Sequence, residues 1–313
     1  MRDMVNHSKL FLALSFFLVI VVLTSLTACQ DANSQNSLDV NTLNVTVSIL
    51  PQAFFVESIG GKAVEVNVMV GPGEEAHTYE PSPDQMKSLS TSQIFFTIGV
   101  EYETLWVPRF QNINPEMIIV DSIKGITRQI SSEVHTHESQ DDEDENVLNS
   151  EHFDPHVWLA PDNGKIIAQN ILTALSELSP QNAQTFNENY MRLLADIDEL
   201  DTRIETTLKG IDQRKFMVFH PAWAYFAKQF GLEQISVQIG GQDPSAKEMV
   251  EIIRIAREEK IHVIFVQPTF STADAEAIAR EIGAQIAVID PLARNWIENL
   301  ERVADSFAAS LIN

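Results

Sequence analysis

A long helical hydrophobic pattern in the middle of the chain constrains its fold more than any other feature. From about Gln181 to Lys209, apolar side chains recur at steps of three or four and place one apolar stripe along a single helix. At 1.5 Å per residue, such a helix would be about 40 Å long, enough to run the full height of two lobes. The stripe consists of Phe186, Tyr190, Leu194, Ile197, Leu200, Ile204 and Leu208. We therefore expect a rigid connector between two halves of the protein.

Short β-type runs alternate with helical stretches on both sides of this connector. Such alternation is typical of parallel sheets that carry helices on their faces. It predicts an α/β fold of two lobes, each with a mostly parallel sheet flanked by helices, joined by the one long helix. The runs before the connector are Leu43 to Ile49, Val64 to Val70, Gln93 to Ile98 and Met117 to Val120, and those after it are Phe216 to Phe219, Ile235 to Val237, His262 to Val266 and Ile286 to Ile289.

The first residues predict an export signal and not a part of the fold. Arg2 and Lys9 precede an apolar run from Leu10 to Leu23, and Leu26-Thr27-Ala28-Cys29 then places small residues ahead of the chain's only cysteine. This pattern resembles a bacterial lipoprotein signal, in which Cys29 would be lipidated. An uncleaved membrane anchor is the alternative, although the apolar run is shorter than the ~20 residues of a usual span. We expect the protein in the cell envelope, at the outer face of the cytoplasmic membrane or in the periplasm.

These patterns divide the chain of 313 residues into five parts. The predicted parts are a lipoprotein signal over residues 1–29, a tether over 30–44, a first α/β lobe over 45–180, a linking helix over 181–210 and a second α/β lobe over 211–313. Because the chain has one cysteine, no intramolecular disulfide can hold the lobes, and their cores must do so.

The chain is strongly acidic. Acidic residues outnumber basic ones by 44 to 21, giving a formal charge of −23, which disfavours nucleic acid as a partner and weakly favours cations. Residues 133–151 form an acidic stretch that carries His135 and His137, with His152 just beyond it. This composition predicts a mobile surface loop. The loop could collect metal as a weak secondary site, or it could be a solvated charge run without a function.

Three histidines and an aspartate occupy positions suited to metal ligands. His77 follows a β-type run and the loop Gly71 to Ala76, whereas His220 and Asp290 each come directly after an apolar strand. In open α/β sheets, ligands bind beyond the carboxyl ends of the strands. His156 lies in Asp154-Pro155-His156-Val157-Trp158, where the proline restricts the backbone and the tryptophan offers a bulky anchor. The spacing predicts that these side chains converge on a transition metal.

The same segments resemble the solute-binding lipoproteins of zinc and manganese ABC transporters, over about Leu43 to Leu311. The most specific pieces are the loop into His77, the motif around His156, the run His220-Pro221-Ala222-Trp223-Ala224-Tyr225-Phe226, and Asp290-Pro291-Leu292. The resemblance implies that His77 and His156 from the first lobe, with His220 and Asp290 from the second, bind a metal between the lobes. It also implies a permease and its ATPase as partners of a lipid-anchored monomer.

Zn²⁺, bound as the transported ligand, suits three imidazoles and a carboxylate in a four-coordinate shell. Mn²⁺ favours shells richer in oxygen, and manganese members of the family carry a glutamate at the position of His220. A Mn²⁺ or Fe²⁺ carrier of the same family is the alternative. Asp290 is one candidate for the fourth ligand, and water or Glu80 could take that place instead.

Other functional classes find less support in the sequence. A zinc hydrolase would need an open coordination position and a general base, and the chain contains no His-Glu-x-x-His helix. Structural zinc sites usually draw on closely spaced cysteines, and no residue pattern indicates a surface adhesin. The sequence therefore predicts an extracytoplasmic zinc-binding protein of an ABC importer that is not an enzyme.

Overall fold

The computed structural model describes residues 42–130, 153–239, 242–269 and 273–311. The predicted signal with Cys29, nearly all of the tether, and the stretch with His135, His137 and His152 lie outside the described residues. From Leu43 onward, the described residues form one compact unit. In these described ranges, no helix is both long enough and apolar enough to cross a membrane.

Four parallel strands build the sheet of the first lobe. They are arranged in the order β2-β1-β3-β4, as the alternating pattern predicted. The strands are β1 (Leu43–Ile49), β2 (Val64–Val70), β3 (Ile94–Thr97) and β4 (Ile118–Asp121). The helices are α1 (Leu50–Gly60), α2 (Pro83–Leu89), α3 (Glu101–Ile113) and α4 (Pro161–Leu178).

The predicted connector is a single helix, α5 (Ala183–Thr207), of 25 residues. It packs against α1, α4 and the C-terminal helix of the chain. Its buried face is close to the predicted stripe, with Leu193 fully buried where the sequence pattern suggested Leu194. A helix that belongs to the cores of both halves is a rigid connector, because opening the lobes would expose apolar surface along its length.

The second lobe repeats the strand order of the first. Its parallel sheet runs β6-β5-β7-β8. The strands are β5 (Lys215–Val218), β6 (Glu233–Ser236), β7 (Val263–Val266) and β8 (Gln285–Val288). The helices are α6 (Ala224–Phe230), α7 (Ala246–Glu258), α8 (Ala273–Ile282) and α9 (Trp296–Leu311). The predicted fold class is therefore confirmed, while the limits drawn for the lobes from sequence stay predictions.

Trp296, the first residue of α9, joins the two lobes, because it packs against residues of the first lobe. Its ring packs on Phe54 and Phe55 of α1, with centroids 6.0 and 4.9 Å away. Its indole N–H donates to the backbone carbonyl of Trp158, 2.7 Å away. Gly164 of α4 lies so close that a Cβ there would stand 2.7 Å from the indole. The close packing leaves no room for a larger residue at position 164 and fixes the lobes against each other on this side.

A buried hydrogen-bonded network closes the carboxyl edge of the first sheet. Gln52 accepts hydrogen bonds from the N–H groups of Ser48 and Ile49, and its amide donates to the carbonyls of residues 96 and 97 and to the hydroxyl of Ser122. The carboxylate of Glu103 accepts from the N–H groups of residues 98 and 99 and from the hydroxyl of Ser48. The network stitches together the ends of β1, β3 and β4 beneath the loops that carry the candidate site.

Candidate metal site

Three histidines that are far apart in sequence come together at one point. His77 lies in the loop between β2 and α2, His156 precedes a short 3-10 turn ahead of α4, and His220 follows β5. Their candidate ligand nitrogens all lie within 4.8 Å of one another. Among the residues that the structure describes, they form the group suited to holding a metal ion.

An acceptor on the Nδ1 atom fixes the tautomer of each ring. The Nδ1 of His77 is 2.8 Å from a carboxylate oxygen of Glu101, and that of His156 is 2.8 Å from Asp154. The Nδ1 of His220 is 2.9 Å from the side-chain oxygen of Gln238. Each Nδ1 therefore carries the proton as a donor, and each Nε2 presents a lone pair. This arrangement, a ligating imidazole oriented by an acceptor on its other nitrogen, is the usual one around protein-bound metals.

The distance between the ligand nitrogens fits a tetrahedral ion. The Nε2 atoms of His77 and His220 lie 3.2 Å apart. Nitrogens bound to Zn²⁺ at 2.0–2.1 Å in a tetrahedral shell would be about 3.3 Å apart. The rings of His156 and His220, and those of His77 and His156, have centroids 5.3 and 5.6 Å apart. The three side chains thus stand in the spacing that one small cation needs, with only small adjustments.

Burial affects the protonation of one ligand histidine in the direction that metal binding requires. His156 and His220 are 6% and 5% exposed, whereas His77 is partly exposed. Burial, together with the neighbouring His156 and His77, lowers the pKa of His220 from 6.5 to about 3. His220 is therefore neutral at physiological pH, and no proton has to leave it before a metal binds.

Aromatic residues hold the ligand segments, as the sequence suggested. The indole N–H of Trp158 donates to the carbonyl of Pro291, 2.8 Å away, and so links the His156 segment to the second lobe. The hydroxyl of Tyr225 donates to the carbonyl of Asp154 and accepts the N–H of Gln129. These bonds cross between segments that only the fold brings together, and they restrain the backbone on which His156 stands.

The structure does not bring Asp290 into the histidine group. Its carboxylate accepts the N–H of Leu292, 2.8 Å away, and its backbone carbonyl accepts the side chain of Asn299. Burial raises the pKa of this half-buried carboxyl. The sheet order explains the separation, because β7 lies between β5 and β8, and two strand spacings amount to about 10 Å. The ligand role of Asp290 stays a prediction.

Glu75 is a neighbour of the site that the sequence did not single out. One of its carboxylate oxygens is 3.8 Å from the Nε2 of His77. Glu80, which the sequence offered as an alternative ligand, is exposed on the same loop and is not part of the histidine group. Glu74 and Glu75 are consecutive residues shortly before His77, and the sequence does not show which of the two carboxylates lies nearer to the histidine ring.

Comparison with known proteins places the chain in a family. Residues 45–310 match the family described as ZnuA, zinc-uptake complex component A, periplasmic. The chain belongs to this family. It is 28% identical over 291 residues to the high-affinity zinc uptake system protein ZnuA of Bacillus subtilis, covering 91% of this chain and 88% of that protein.

Two further relatives of different length extend the comparison. The zinc-binding lipoprotein AdcA of Streptococcus pneumoniae is 27% identical to this chain over 257 residues. The match covers 80% of this chain but only 50% of AdcA. A crystal structure of a zinc-bound ZnuA deletion mutant is similar at 37% identity and a TM-score of 0.79, covering 87% of this chain and 99% of that one. Membership of the ZnuA family confirms the resemblance inferred from sequence, and it places the chain among uptake components and not among enzymes.

Proposed function

We propose that the protein is the extracytoplasmic zinc-binding component of an ABC importer, which captures Zn²⁺ between its lobes and delivers it to a permease. The observation that carries the proposal is the convergence of three histidine Nε2 atoms, each fixed by an acceptor on Nδ1. Three imidazoles, two of them buried, suit Zn²⁺ better than Mn²⁺, which favours oxygen ligands. Relatives that are named as zinc uptake or zinc-binding proteins support the same metal.

Asp290 is the proposed fourth ligand, and it would have to approach the metal by a local movement of the loop after β8. Its carboxylate now accepts the N–H of Leu292, and this charge-assisted bond would have to be exchanged for the bond to the metal. Glu75 competes for the same role from the other lobe, because it already lies 3.8 Å from the Nε2 of His77. Comparing Asp290→Ala with Glu75→Ala in zinc affinity decides between the two carboxylates.

The partners follow from the same proposal. A permease and its ATPase would receive the metal, and lipid on Cys29 would keep the protein at the membrane. The AdcA relative is named as a lipoprotein, which supports the anchor. If labelled palmitate were incorporated equally into the Cys29→Ala variant, the anchor proposal would fail.

His135, His137 and His152 are proposed to collect zinc weakly. Unchanged zinc uptake at low zinc after deletion of residues 133–150 would contradict that role.

The test of the main proposal is competitive binding of zinc and manganese to the purified protein, with metal content measured by mass spectrometry. We expect one tightly bound zinc per chain that manganese barely displaces. The His220→Ala variant should bind zinc more than about 100-fold more weakly, since loss of a mere outer-shell partner already costs 10–100-fold. A preference for manganese, or zinc affinity that is indifferent to His220, would overturn the proposal.

A further inference from the structure

A row of four polar residues follows the strands of the second sheet, each within two positions of its strand end. In the sheet order β6-β5-β7-β8, these strands are followed by Gln238, His220, Gln267 and Asp290. Val218 of β5 lies opposite Phe265 of β7, and the same register, continued by two residues, sets His220 opposite Gln267. Gln267 therefore stands between the strand end of a metal ligand and that of the proposed fourth ligand.

Gln267 is the member of this row whose amide is left without a partner. It is 7% exposed, and its Nε2 is buried with no hydrogen-bond partner among the described residues. Leaving a buried donor unsatisfied is unfavourable, so such a group is expected to gain an acceptor in a functional state. The other buried glutamine of the row, Gln238, bonds both His220 and Asp243.

Gln267 and Asp290 line the same cavity between the lobes. The cavity has a volume of about 400 Å³ and also borders Glu74 of the His77 loop. The backbone ladder continues up to it, since the N–H of Ile289 donates to the carbonyl of Val266, the residue before Gln267. Val266 lies opposite Val288, so the register continued by one residue places Gln267 opposite Ile289, one residue before Asp290. The amide and the carboxylate thus leave adjacent strands one residue apart and border the same cavity.

The cavity is connected to the metal site through Glu75. Thr269, which lines the cavity, has its hydroxyl 3.5 Å from one carboxylate oxygen of Glu75. The other oxygen of Glu75 is 3.8 Å from the Nε2 of His77. A carboxylate that turns inward from β8 across the cavity would therefore pass Gln267 on its way to the histidines.

We infer that Gln267 is a positioning residue, whose amide donates a hydrogen bond to the Asp290 carboxylate when that carboxylate serves as the fourth zinc ligand. The inference rests on the proposed function. One carboxylate oxygen binds the metal, and the other accepts the Gln267 amide, which gives the buried donor its partner. A hydrogen bond to a charged acceptor in a buried place is strong, and orienting partners of this kind change metal affinity by roughly 10–100-fold.

The test is a double-mutant cycle in zinc affinity, measured by chelator competition in a buffer free of carboxylates. The proteins are the wild type, Gln267→Met, Asp290→Ala and the double variant, with His220→Ala as the reference for the site itself. Gln285→Met, a change at an exposed glutamine of β8, is the matched control. Thermal unfolding without zinc shows whether each variant is folded.

We expect Gln267→Met to bind zinc about tenfold more weakly than the wild type and to unfold, without zinc, at no lower a temperature, because methionine removes a donor that has no partner in that state. In the Asp290→Ala background, the same substitution should change zinc affinity less than about twofold. A merely structural role of Gln267 would lower affinity equally in both backgrounds and would overturn the inference, as would wild-type affinity of Gln267→Met or of Asp290→Ala. Failure of the proposed function is separate, because it requires that His220→Ala keep the affinity of the wild type.

Discussion

The carboxyl edges of the two sheets have the same strand order but opposite polar chemistry. At the first edge, the side chains of Gln52 and Glu103 bond to the surrounding backbone and hydroxyl groups in a buried network of hydrogen bonds. At the second edge, His220 turns its Nε2 toward two other histidines, and Gln267 keeps a buried amide without a partner among the described residues. A satisfied network stabilises the fold, whereas a buried amide without a partner, such as that of Gln267, indicates a place where a ligand completes the hydrogen bonding.

The largest effect that would sharpen this contrast is expected at Gln52. Gln52→Leu removes the acceptor of two N–H groups and the donor to two carbonyls, and it leaves these groups buried and unsatisfied. We expect the free energy of unfolding without zinc to fall by about 3 kcal/mol or more. Urea unfolding measures the change. Zinc affinity of the folded variant should stay within a factor of about three of the wild type, since Gln52 contacts no ligand histidine, and a loss as large as that of His220→Ala would break the comparison.

At the second edge, the expected effect is on the metal and not on the fold. Gln238→Leu removes the acceptor that orients the His220 ring. We expect zinc affinity to fall by between about 10-fold and 100-fold, as measured by chelator competition. Gln285→Leu, at an exposed position of β8, is the control that should bind zinc as the wild type does. Unchanged affinity of Gln238→Leu would show that packing alone orients His220.

A smaller effect is expected at Glu101, which does for His77 what Gln238 does for His220. Glu101 is 52% exposed at its side chain, and His77 is 27% exposed, so water can replace the lost acceptor. Glu101→Leu should therefore weaken zinc binding by no more than about tenfold, at the low end of the outer-shell range. A loss larger than that of Gln238→Leu, in the same competition assay, would contradict the view that burial sets the value of these orienting bonds.

The last expected effect is a pH dependence of stability at the first edge. Burial raises the pKa of Glu103 from 4.5 to about 7, against the hydrogen bonds from Ser48 and from the N–H groups of residues 98 and 99. The folded protein then binds more protons than the unfolded chain between these values. The contribution of Glu103 is fully present below about pH 4.5 and is lost as the pH rises through 7, with a slope of at most about 1.4 kcal/mol per pH unit.

Urea unfolding of the zinc-free protein at several pH values measures this slope. Glu103→Gln has no proton to exchange, so its free energy of unfolding should lack the part of the decline that the wild type shows between pH 4.5 and 7. Equal slopes for the two proteins would mean that the folded carboxyl titrates as it does in the unfolded chain.

Much of the fold could be predicted from the sequence because its signals are local. The strands lie within two residues of their predicted positions at nearly every end, and the linking helix begins and ends two residues inside its predicted limits. The three histidines were found because each stands in a distinctive segment of its own. Two of their three partners gave no such signal, since Glu101 is 24 residues from His77 and Gln238 is 18 residues from His220. Asp154, the partner of His156, lies in the same motif as its histidine.

The prediction about Asp290 shows where local signals end. Its position after a strand made it equivalent to His220 in sequence, but a strand end marks only the edge of a sheet and not the place along that edge. The order β6-β5-β7-β8 inserts β7 between the two residues. Gln267 follows β7, and its position after an apolar run is the only sequence feature that pointed to it.

The sequence by itself determined the two α/β lobes, the rigid helix between them and the three imidazoles, because hydrophobic periodicity and short motifs act over neighbouring residues. Only the tertiary structure decided which polar groups form hydrogen bonds with one another. Strand order, burial and the closeness of Trp296 to the first lobe arise from contacts across more than a hundred residues. These contacts set the tautomers of the histidines, the distance to Asp290 and the isolation of the Gln267 amide, because hydrogen bonds depend on positions within a few tenths of an ångström.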